Sequence, residues 1–548
     1  LEQLKEFGKL VFFSNFRGSL EAKIKLSMAF AMYGDKLGPI YNMISSTLPV
    51  ERERNEAAKK DWKHLTDFTH HKLLAIDDSF IQLGGRNIED SYHMQPNALT
   101  KKYIFMDTDM AVNLSKKNSD IGKAYDRLFE FKAMTATLAQ VQTELPNDLV
   151  KNVPAVAQAA AACAPVKATQ FSRYEQCIED ALKTQVLSTS DQRQDEALKT
   201  LRQNAEIYRT QYQPKALNSW RNSLSTDDSM SKSDVSSMVL TYIENIPYNK
   251  SVAPGSETRV YGSAQGKDEK NGKYIHSLLV QGLRNTCKAS AESGAKKRVI
   301  LHQGYVLFPS NLMMALGSMF NGTWNCRNVD VLVLTNSPKT TDLNIVNFFA
   351  RHQLKALSDI ASQSSSPAKA RIKIMEYKTP ENGEATRSLH TKVNILGDDV
   401  IIGSANADVR SYFMDTNNGF FFRGAKDFVR EYQNFVGRIA NDKSRVTDLM
   451  TDLLTRSHDN ILQEDIVSIK EMIAKYNGSG FITPKREKII VTEVTRLLKY
   501  VYETNKALLN IEFVPRNATR VDGNMVGSDS AREMRQIEMA NTFNSLMM

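Results

Sequence analysis

The feature that most constrains the fold is a motif that occurs twice. Residues 70–87 read HHKLLAIDDSFIQLGGRN, and residues 390–406 read HTKVNILGDDVIIGSAN. Both copies have the same order: histidine, any residue, lysine, an apolar run, an acidic turn, a second apolar run, two small residues, any residue and asparagine. The copies begin 320 positions apart. A repeat of this kind predicts a chain with two related halves.

Each motif copy predicts two short strands joined by the acidic turn. The predicted strands cover residues 72–76, 80–83, 392–396 and 400–402. A histidine and a lysine two residues apart project from the same face of a strand, and glycine lets a ligand such as phosphate approach the backbone. The two candidate sets are His70 with Lys72 and His390 with Lys392. His71 alternates to the other face, which favours a structural role.

The residues before the second copy alternate between strand and helix patterns. Strands are predicted at 298–308, 328–337 and 371–377, and helices at 310–321 and 341–359. This alternation predicts the α/β class with a largely parallel sheet. Only 69 residues precede the first copy, so we expect the opening strand and helix of the first half to be missing or detached.

The chain of 548 residues is too long for one hydrophobic core, because cores stop growing at about 250–300 residues. We predict four segments: a first lobe over 1–145, a helical connector over 146–240, a second lobe over 241–430, and a helical C-terminal extension with a polar tail over 431–548. The connector is rich in Ala, Gln and Lys and has few strand formers.

The charge balance favours an anionic partner. A net charge of +9 and a pI near 9 suit a phospholipid surface, a nucleic acid or a phosphate ester, although charge spread along the chain also fits a solvated surface. No apolar run approaches the roughly 18–20 residues of a membrane span. No signal peptide is visible in a chain that begins at Leu1.

The four cysteines form two pairs that are local in sequence. Two disulfides in an oxidising compartment would fit this arrangement, and four buried thiols are the alternative. The residues are Cys163, Cys177, Cys287 and Cys326. Their spacing lacks CxxC and has no histidine cluster beside it, which disfavours a zinc site.

Two histidine and lysine sets supply what displacement at a phosphodiester requires. One imidazole attacks phosphorus, a second imidazolium protonates the leaving alkoxide, and lysine and amide groups hold the equatorial oxygens. A histidine pKa near 6.5 lets one ring be neutral while the other is charged. The scheme requires no metal or other cofactor, and the sequence has no convincing metal cluster.

The two copies resemble the paired HxK...GxxN motifs of the phospholipase D superfamily. Further similarity lies in GGRNIEDSYH and YIFMDTDM in the first half, and in GYVLFPS, LTNSPKTTD, IMEY and DVRSYFMDTNNG in the second. The set most resembles the bacterial cardiolipin synthase branch, over roughly two thirds of the chain. The resemblance implies two α/β/α lobes related by a pseudo-twofold axis, with one active site between them.

The resemblance also implies roles for the motif residues. The first histidine, His70, would become the phosphohistidine, and His390 would act as acid and then base, although the opposite assignment stays open. The residues implied to hold the phosphoryl oxygens, or to lie beside them, are Lys72, Lys392, Asn87, Asn406, Gly85 and Ser404.

Two positions depart from the family pattern. Gly397 replaces a supporting aspartate that the first copy keeps as Asp77, which we interpret as a rearranged turn. Asn417 stands where related enzymes commonly carry a glutamate that orients the catalytic imidazole, and an amide supplies no charge to an imidazolium. Asp415 could substitute, and Asp90 could orient the histidine of its own half. We expect reduced turnover.

The resemblance implies a phosphatidyltransferase of the cardiolipin synthase type, with phosphatidylglycerol or phosphatidylethanolamine as substrate and an alcohol or water as acceptor. We expect peripheral contact with a membrane surface, at a bacterial inner membrane or its periplasmic side. A phospholipase D hydrolase or a nuclease, and a catalytically weak lipid-binding protein, are the alternatives. Nucleic acid is disfavoured as a partner because basic and aromatic residues do not interleave clearly.

Overall fold

The computed structural model describes residues 11–13, 68–87, 92, 103–114, 135–137, 238–245 and 275–510, and also single helical positions between 158 and 210. Within these ranges, residues 78, 342–343, 380–385, 409–410, 412–414 and 477–483 are not described. The expected opening strand and helix of the first half, and the polar tail, lie outside the described residues. So does most of the connector.

Strands and helices alternate through the described part of the chain. The strands are β1 (Val11–Phe13), β2 (Phe68–Thr69), β3 (Leu73–Ile76), β4 (Phe80–Gly84), β5 (Tyr103–Met106), β6 (Asp109–Asn113), β7 (Thr135–Thr137), β8 (Val239–Asn245), β9 (Lys297–Gln303), β10 (Val329–Asn336), β11 (Arg371–Tyr377), β12 (Thr386–Leu389), β13 (Lys392–Leu396), β14 (Asp399–Gly403), β15 (Asp415–Arg423) and β16 (Val446–Asp448). The helices are α1 (Ile275–Ser293), α2 (Ser310–Phe320), α3 (Asn344–Gln363), α4 (Lys426–Asn441), α5 (Leu449–Thr455), α6 (His458–Tyr476) and α7 (Pro484–Leu509).

The chain divides into two compact units. The first comprises Leu1–Asn15, Pro39–Ala136 and Met238–Met548, and the second comprises Phe16–Gly38 and Thr137–Ser237. Both motif copies and the C-terminal helices therefore belong to one unit.

Two disulfides lie in the described part of the chain. Cys163 is bonded to Cys177 within the second unit, and their Cα atoms are 5.9 Å apart. Cys287 is bonded to Cys326 in the first unit, with Cα atoms 4.6 Å apart. The second bond ties α1 to the segment that leads into β10.

The large sheet of the first unit is mixed, not largely parallel as predicted. Its order is β16-β11-β10-β9-β13-β14-β15-β2, and β8 also pairs with β15. Strands β9, β10 and β11 are parallel to one another, whereas β13 is antiparallel to β9 and β14, and β14 is antiparallel to β15. The short strand β2 then adds to β15 in parallel. The turn at Gly397 is too short for a crossover, so the strands of the second motif copy can only form a hairpin.

Helices cover both faces of this sheet. Val299 and Leu301 of β9 pack in a core with α1, α2, α3, α5, α6 and α7, while Ile300 between them packs in a second core with α4. Ile81 and Leu83 of β4 belong to the second core, so the first motif copy lies on the same face as α4. The predicted α/β class is confirmed. No helix among the described residues is both long and apolar enough to cross a membrane.

The two motif copies form equivalent antiparallel meanders. Strands β3, β4 and β6 make a three-stranded sheet, and β13, β14 and β15 make the same arrangement within the large sheet. Asp77 and Gly397 lie in the corresponding hairpin turns with φ angles of 51° and 71°. Because this left-handed conformation strains a residue with a Cβ atom, glycine suits the position better than aspartate.

Candidate active site

His70 is held by residues of the second motif half. Strand β2 pairs in parallel with β15, and the His70 backbone N–H, directly after β2, donates to the Thr416 carbonyl at 2.9 Å. The ring Nδ1 lies 3.1 Å from Asn417 Oδ1. The first histidine is therefore oriented by a residue 347 positions later in the chain.

The Asn417 amide has a defined orientation. Its Nδ2 donates to the carbonyls of Ser411 at 3.3 Å and Asp415 at 3.4 Å, and Ser404 Oγ donates to its Oδ1 at 3.2 Å. Since Oδ1 can only accept, Nδ1 of His70 carries the proton and Nε2 carries the lone pair. In the neutral ring, this lone pair makes Nε2 the nucleophilic nitrogen.

His390 is held in the same way by residues of the first half. Strand β12 pairs in parallel with β5, and the His390 backbone N–H donates to the Met106 carbonyl at 2.7 Å. The ring Nδ1 lies 2.6 Å from Asp107 Oδ2, and both side chains are almost fully buried. The second histidine is therefore oriented by a carboxylate 283 positions earlier in the chain.

The two orienting residues hold equivalent places in the two meanders. Gly84 pairs with Asp109, and Gly403 pairs with Gly419. Each orienting residue lies two positions before the second member of its pair. The halves thus exchange orienting groups, and the exchange is unequal, because one group is a carboxylate and the other an amide.

Burial controls the charge of the His390 pair. Burial raises the pKa of Asp107 to about 6, against the opposing effects of Lys392, Arg86 and Lys72. Burial also lowers the pKa of His390 well below its ordinary value, and Lys392 and Lys72 lower it further. In the ligand-free protein near neutral pH, the pair is therefore a neutral ring beside a carboxylate.

Each motif lysine bonds the carbonyl of its own histidine. Lys72 Nζ donates to the His70 carbonyl at 3.1 Å, and Lys392 Nζ donates to the His390 carbonyl. Lys392 Nζ also lies 2.9 Å from the His390 Nδ1. Because that nitrogen donates to Asp107, the carbonyl is the proper acceptor for the ammonium group. The positive charges of Lys72 and Lys392 both lower the pKa of Asp107. Because the two lysines come from different motif copies, both copies contribute to one site.

The other motif residues differ in what they contact. Asn406 is buried, and its Oδ1 has no hydrogen-bond partner among the described residues. Asn87 is half-buried in the loop after β4. A Cβ atom at Gly85 would lie 2.4 Å from Asp107 Oδ1, so this glycine lets the carboxylate reach His390. Ser404 Oγ accepts from the Asn418 N–H at 3.0 Å and supports Asn417 instead of facing a ligand.

The three predicted orienting carboxylates differ in what the structure shows of them. Asp77 is exposed in the β3–β4 turn, at the opposite end of β3 from Lys72. It therefore belongs to the turn and not to the site. Asp415 contributes its backbone carbonyl to Asn417. Asp90 lies outside the described residues.

Sequence reasoning missed Asp107. A signal was present, because FMDT occurs both in YIFMDTDM and in YFMDTNNG. Aligning these strings matches Asp107 with Asp415, whereas the sheet register matches it with Asn417. The two-residue offset hid the correspondence.

The neighbour of the first histidine faces a different cluster. His71 Nδ1 lies 2.9 Å from Thr416 Oγ1, and its Nε2 lies 4.0 Å from Glu244 Oε2. Glu244 belongs to β8, which pairs with β15 behind the site. His71 therefore braces the loop that carries His70. Among the described residues, no group of three or more side chains could hold a metal ion.

The chain has weak likeness to known proteins. No family model and no curated protein sequence matches it. A phosphatidylserine synthase from Haemophilus influenzae is 11% identical, with 76% of this chain and 71% of that chain covered at a TM-score of 0.37. NucT from Helicobacter pylori is 11% identical, with 38% and 98% covered at 0.23. Nuc from Salmonella typhimurium, a phospholipase D family member, is 12% identical, with 37% and 93% covered at 0.21. TM-scores this low do not establish a shared fold.

Proposed function

We propose that the chain transfers a phosphoryl group between oxygen atoms through a covalent histidine intermediate. The supporting observation is the exchange of orienting groups: Asn417 and Asp107 each engage Nδ1 of the histidine from the other half. In this proposal the Nε2 atoms of the two rings act on one substrate. A nucleophile and a separate proton donor are what a phosphodiester displacement needs.

The unequal partners favour His70 as the nucleophile. The Asn417 amide adds no negative charge that would stabilise an imidazolium at His70, so this partner favours the neutral ring, whose lone pair lies on Nε2. His390 lies against the carboxylate of Asp107, which stabilises an imidazolium once one forms. A bound phosphodiester brings a further negative charge, which raises the pKa of His390 and favours its protonated form.

The proposed reaction has two balanced steps. His70 Nε2 attacks phosphorus, the P–N bond forms, the bond to the leaving oxygen breaks, and that oxygen takes the proton from His390 Nε2. An acceptor hydroxyl then gives its proton to His390 Nε2 while its oxygen attacks phosphorus and the P–N bond breaks. Each histidine ends in its starting state.

We further propose that cationic and amide groups hold the phosphoryl oxygens. The candidates are Lys72, Lys392, Asn87 and Asn406. The buried Oδ1 of Asn406, which has no hydrogen-bond partner among the described residues, supports this role, because a flipped amide would offer an N–H donor to an anionic oxygen at that place.

The substrate that we propose is a phospholipid, and the specific reaction is that of a cardiolipin synthase. It would pass a phosphatidyl group from phosphatidylglycerol or phosphatidylethanolamine to phosphatidylglycerol or water at a membrane surface. The net charge of +9 supports an anionic lipid surface. The motif resemblance supports the lipid class.

Lipid analysis tests this function. Phosphatidylglycerol vesicles are incubated with the intact protein and with His70→Ala, and the products are separated by mass spectrometry. Cardiolipin, phosphatidic acid or both should appear only with the intact protein, at the expense of phosphatidylglycerol. If neither product forms while single-stranded DNA is cleaved in a parallel reaction, the lipid substrate is wrong and the phosphodiester chemistry stands.

A further inference from the structure

The Tyr92 hydroxyl faces the reactive nitrogen of His390. Its oxygen lies 3.5 Å from Nε2, and the two rings meet edge to face with centroids 4.9 Å apart. Because Nδ1 is committed to Asp107, Nε2 is the nitrogen that exchanges protons with the leaving and acceptor oxygens. Those oxygens must lie within about 3 Å of Nε2 during proton transfer. The phenol therefore borders the place where the acceptor oxygen arrives.

The Tyr92 ring is held firmly in this place. It is only 5% exposed, and it stacks on Phe105 at a centroid distance of 4.4 Å and an angle of 14°. The Arg86 guanidinium binds the Tyr92 carbonyl and also donates to the Asp107 carbonyl. Arg86 thus fixes two neighbours of His390: Asp107, which orients the ring, and Tyr92, which faces the other ring nitrogen.

Aromatic rings also enclose the His390 side chain. Phe105 and Tyr305 meet the imidazole at nearly perpendicular angles, with centroids 5.5 Å and 6.2 Å away. The faces and edges of aromatic side chains offer few hydrogen bonds to a water molecule, whereas they can pack against the carbon atoms of an alcohol. The surroundings of Nε2 therefore favour an alcohol as acceptor.

We propose that Tyr92 is the specificity-determining residue that selects an alcohol over water as the phosphoryl acceptor, which rests on the proposed function. Its ring excludes water from the space beside His390 Nε2, and its hydroxyl holds the alcohol oxygen there. In this step the alcohol proton goes to His390 Nε2, the new P–O bond forms, and the P–N bond to His70 breaks. Water follows the same path when the ring is absent.

The ratio of transfer product to hydrolysis product tests the proposal. The full chain, Tyr92→Ala and Tyr92→Phe are each incubated with phosphatidylglycerol vesicles, and cardiolipin and phosphatidic acid are quantified. Tyr92→Ala should lower the ratio at least roughly tenfold, as expected for loss of a pocket contact. Tyr92→Phe should slow turnover and keep the ratio within about twofold, because its ring still excludes water.

The ratio does not depend on how much protein is folded, so a merely structural role for Tyr92 leaves it unchanged. Tyr500→Ala removes an equivalent side chain from the exposed face of α7 and serves as the matched control, with ratio and rate as in the intact protein. An unchanged ratio in Tyr92→Ala overturns the proposal and leaves the proposed function in place. If the intact protein makes neither product from lipid, the proposed lipid substrate fails and this proposal fails with it.

Discussion

At the scale of single residues, the two histidines differ in the charge of the groups that orient them. Asp107 and Asn417 hold equivalent positions, but only the first can compensate a positive charge on its histidine. A substitution that equalises them should therefore affect the acid and base function and spare the fold. Asp107→Asn is the direct change.

We predict that Asp107→Asn lowers kcat/KM for a phosphodiester substrate by roughly 10²–10⁴-fold, the range typical for loss of acid and base catalysis. The loss should be smaller for a substrate with a good leaving group such as p-nitrophenolate, because that group needs no proton. Steady-state kinetics on both substrates measure the difference. Equal losses on the two substrates would falsify the role of His390 as the proton donor.

The same substitution should change how stability depends on pH. The pKa of Asp107 is about 6 in the folded chain against an ordinary 3.8. The folded protein therefore keeps a proton that the unfolded chain releases, so this stabilising contribution is full below about pH 4 and is lost as the pH rises through 6. The loss is at most about 3 kcal/mol, from 1.36 kcal/mol per pKa unit.

We predict that Asp107→Asn gains stability relative to the intact protein between about pH 4 and pH 6. Burial lowers the pKa of His302 to about 3, which gives the opposite slope, but His302 is common to both proteins. Urea denaturation across this pH range gives the two free energies of unfolding. A constant difference between them would contradict the raised pKa of Asp107.

At the scale of elements, the close approach of β14 and β15 sets the position of Asn417. A Cβ atom at Gly403 would lie 2.2 Å from the Asn418 carbonyl oxygen, which forces the strands apart. We predict that Gly403→Ala lowers the free energy of unfolding by roughly 3 kcal/mol and also lowers activity. Gly437→Ala is the matched control.

Gly437 lies in α4, where an added Cβ atom meets nothing within 4 Å. Alanine there should raise the free energy of unfolding by about 0.5–1 kcal/mol, because glycine is a poor helix former. Urea denaturation of both variants decides the outcome. If Gly403→Ala is as stable as the intact protein, the two strands are not as close as the structure places them.

At the scale of the whole molecule, the positive charge should govern encounter with lipid. With a net charge of +9, binding to anionic vesicles is expected to weaken as added salt shortens the screening length from about 10 Å at 0.1 M to about 3 Å at 1 M. Turnover of a soluble phosphodiester with an uncharged leaving group should change little over the same range of salt concentration. Vesicle sedimentation and a spectrophotometric assay measure the two effects. Vesicle binding that is independent of salt would argue against an electrostatic attachment.

Much of this architecture could be predicted because the relevant signals are local in sequence. The apolar run of the second motif predicts a strand over 392–396, and β13 has those bounds. The alternation of strands and helices predicts the α/β class. The hairpin of β13 and β14 was predicted from the turn between them, but the antiparallel pairing of β13 with β9 and of β15 with β14 was not. Strand direction there depends on which neighbours pair, and the alternating strand and helix patterns suggested parallel crossovers.

The site could be predicted only in part for a related reason. Spacing within a motif selects His70 over His71, and the substitution at Asn417 drew attention to an orienting group. The partner of His390 could not be read from spacing, since Asp107 lies 283 positions away and the pairing of β5 with β12 brings it there. Tyr92 was missed because a buried phenol carries no pattern that distinguishes it from a core residue.

The exchange of orienting groups has a consequence for biosynthesis. Asn417 lies 347 positions after His70, and at roughly 5–20 residues per second a stretch of this length takes on the order of tens of seconds to synthesise. Throughout that interval the His70 ring lacks the hydrogen bond to Asn417 that fixes its tautomer. Under the proposed mechanism, a nascent chain therefore stays inert until the second half has been made and has folded against the first.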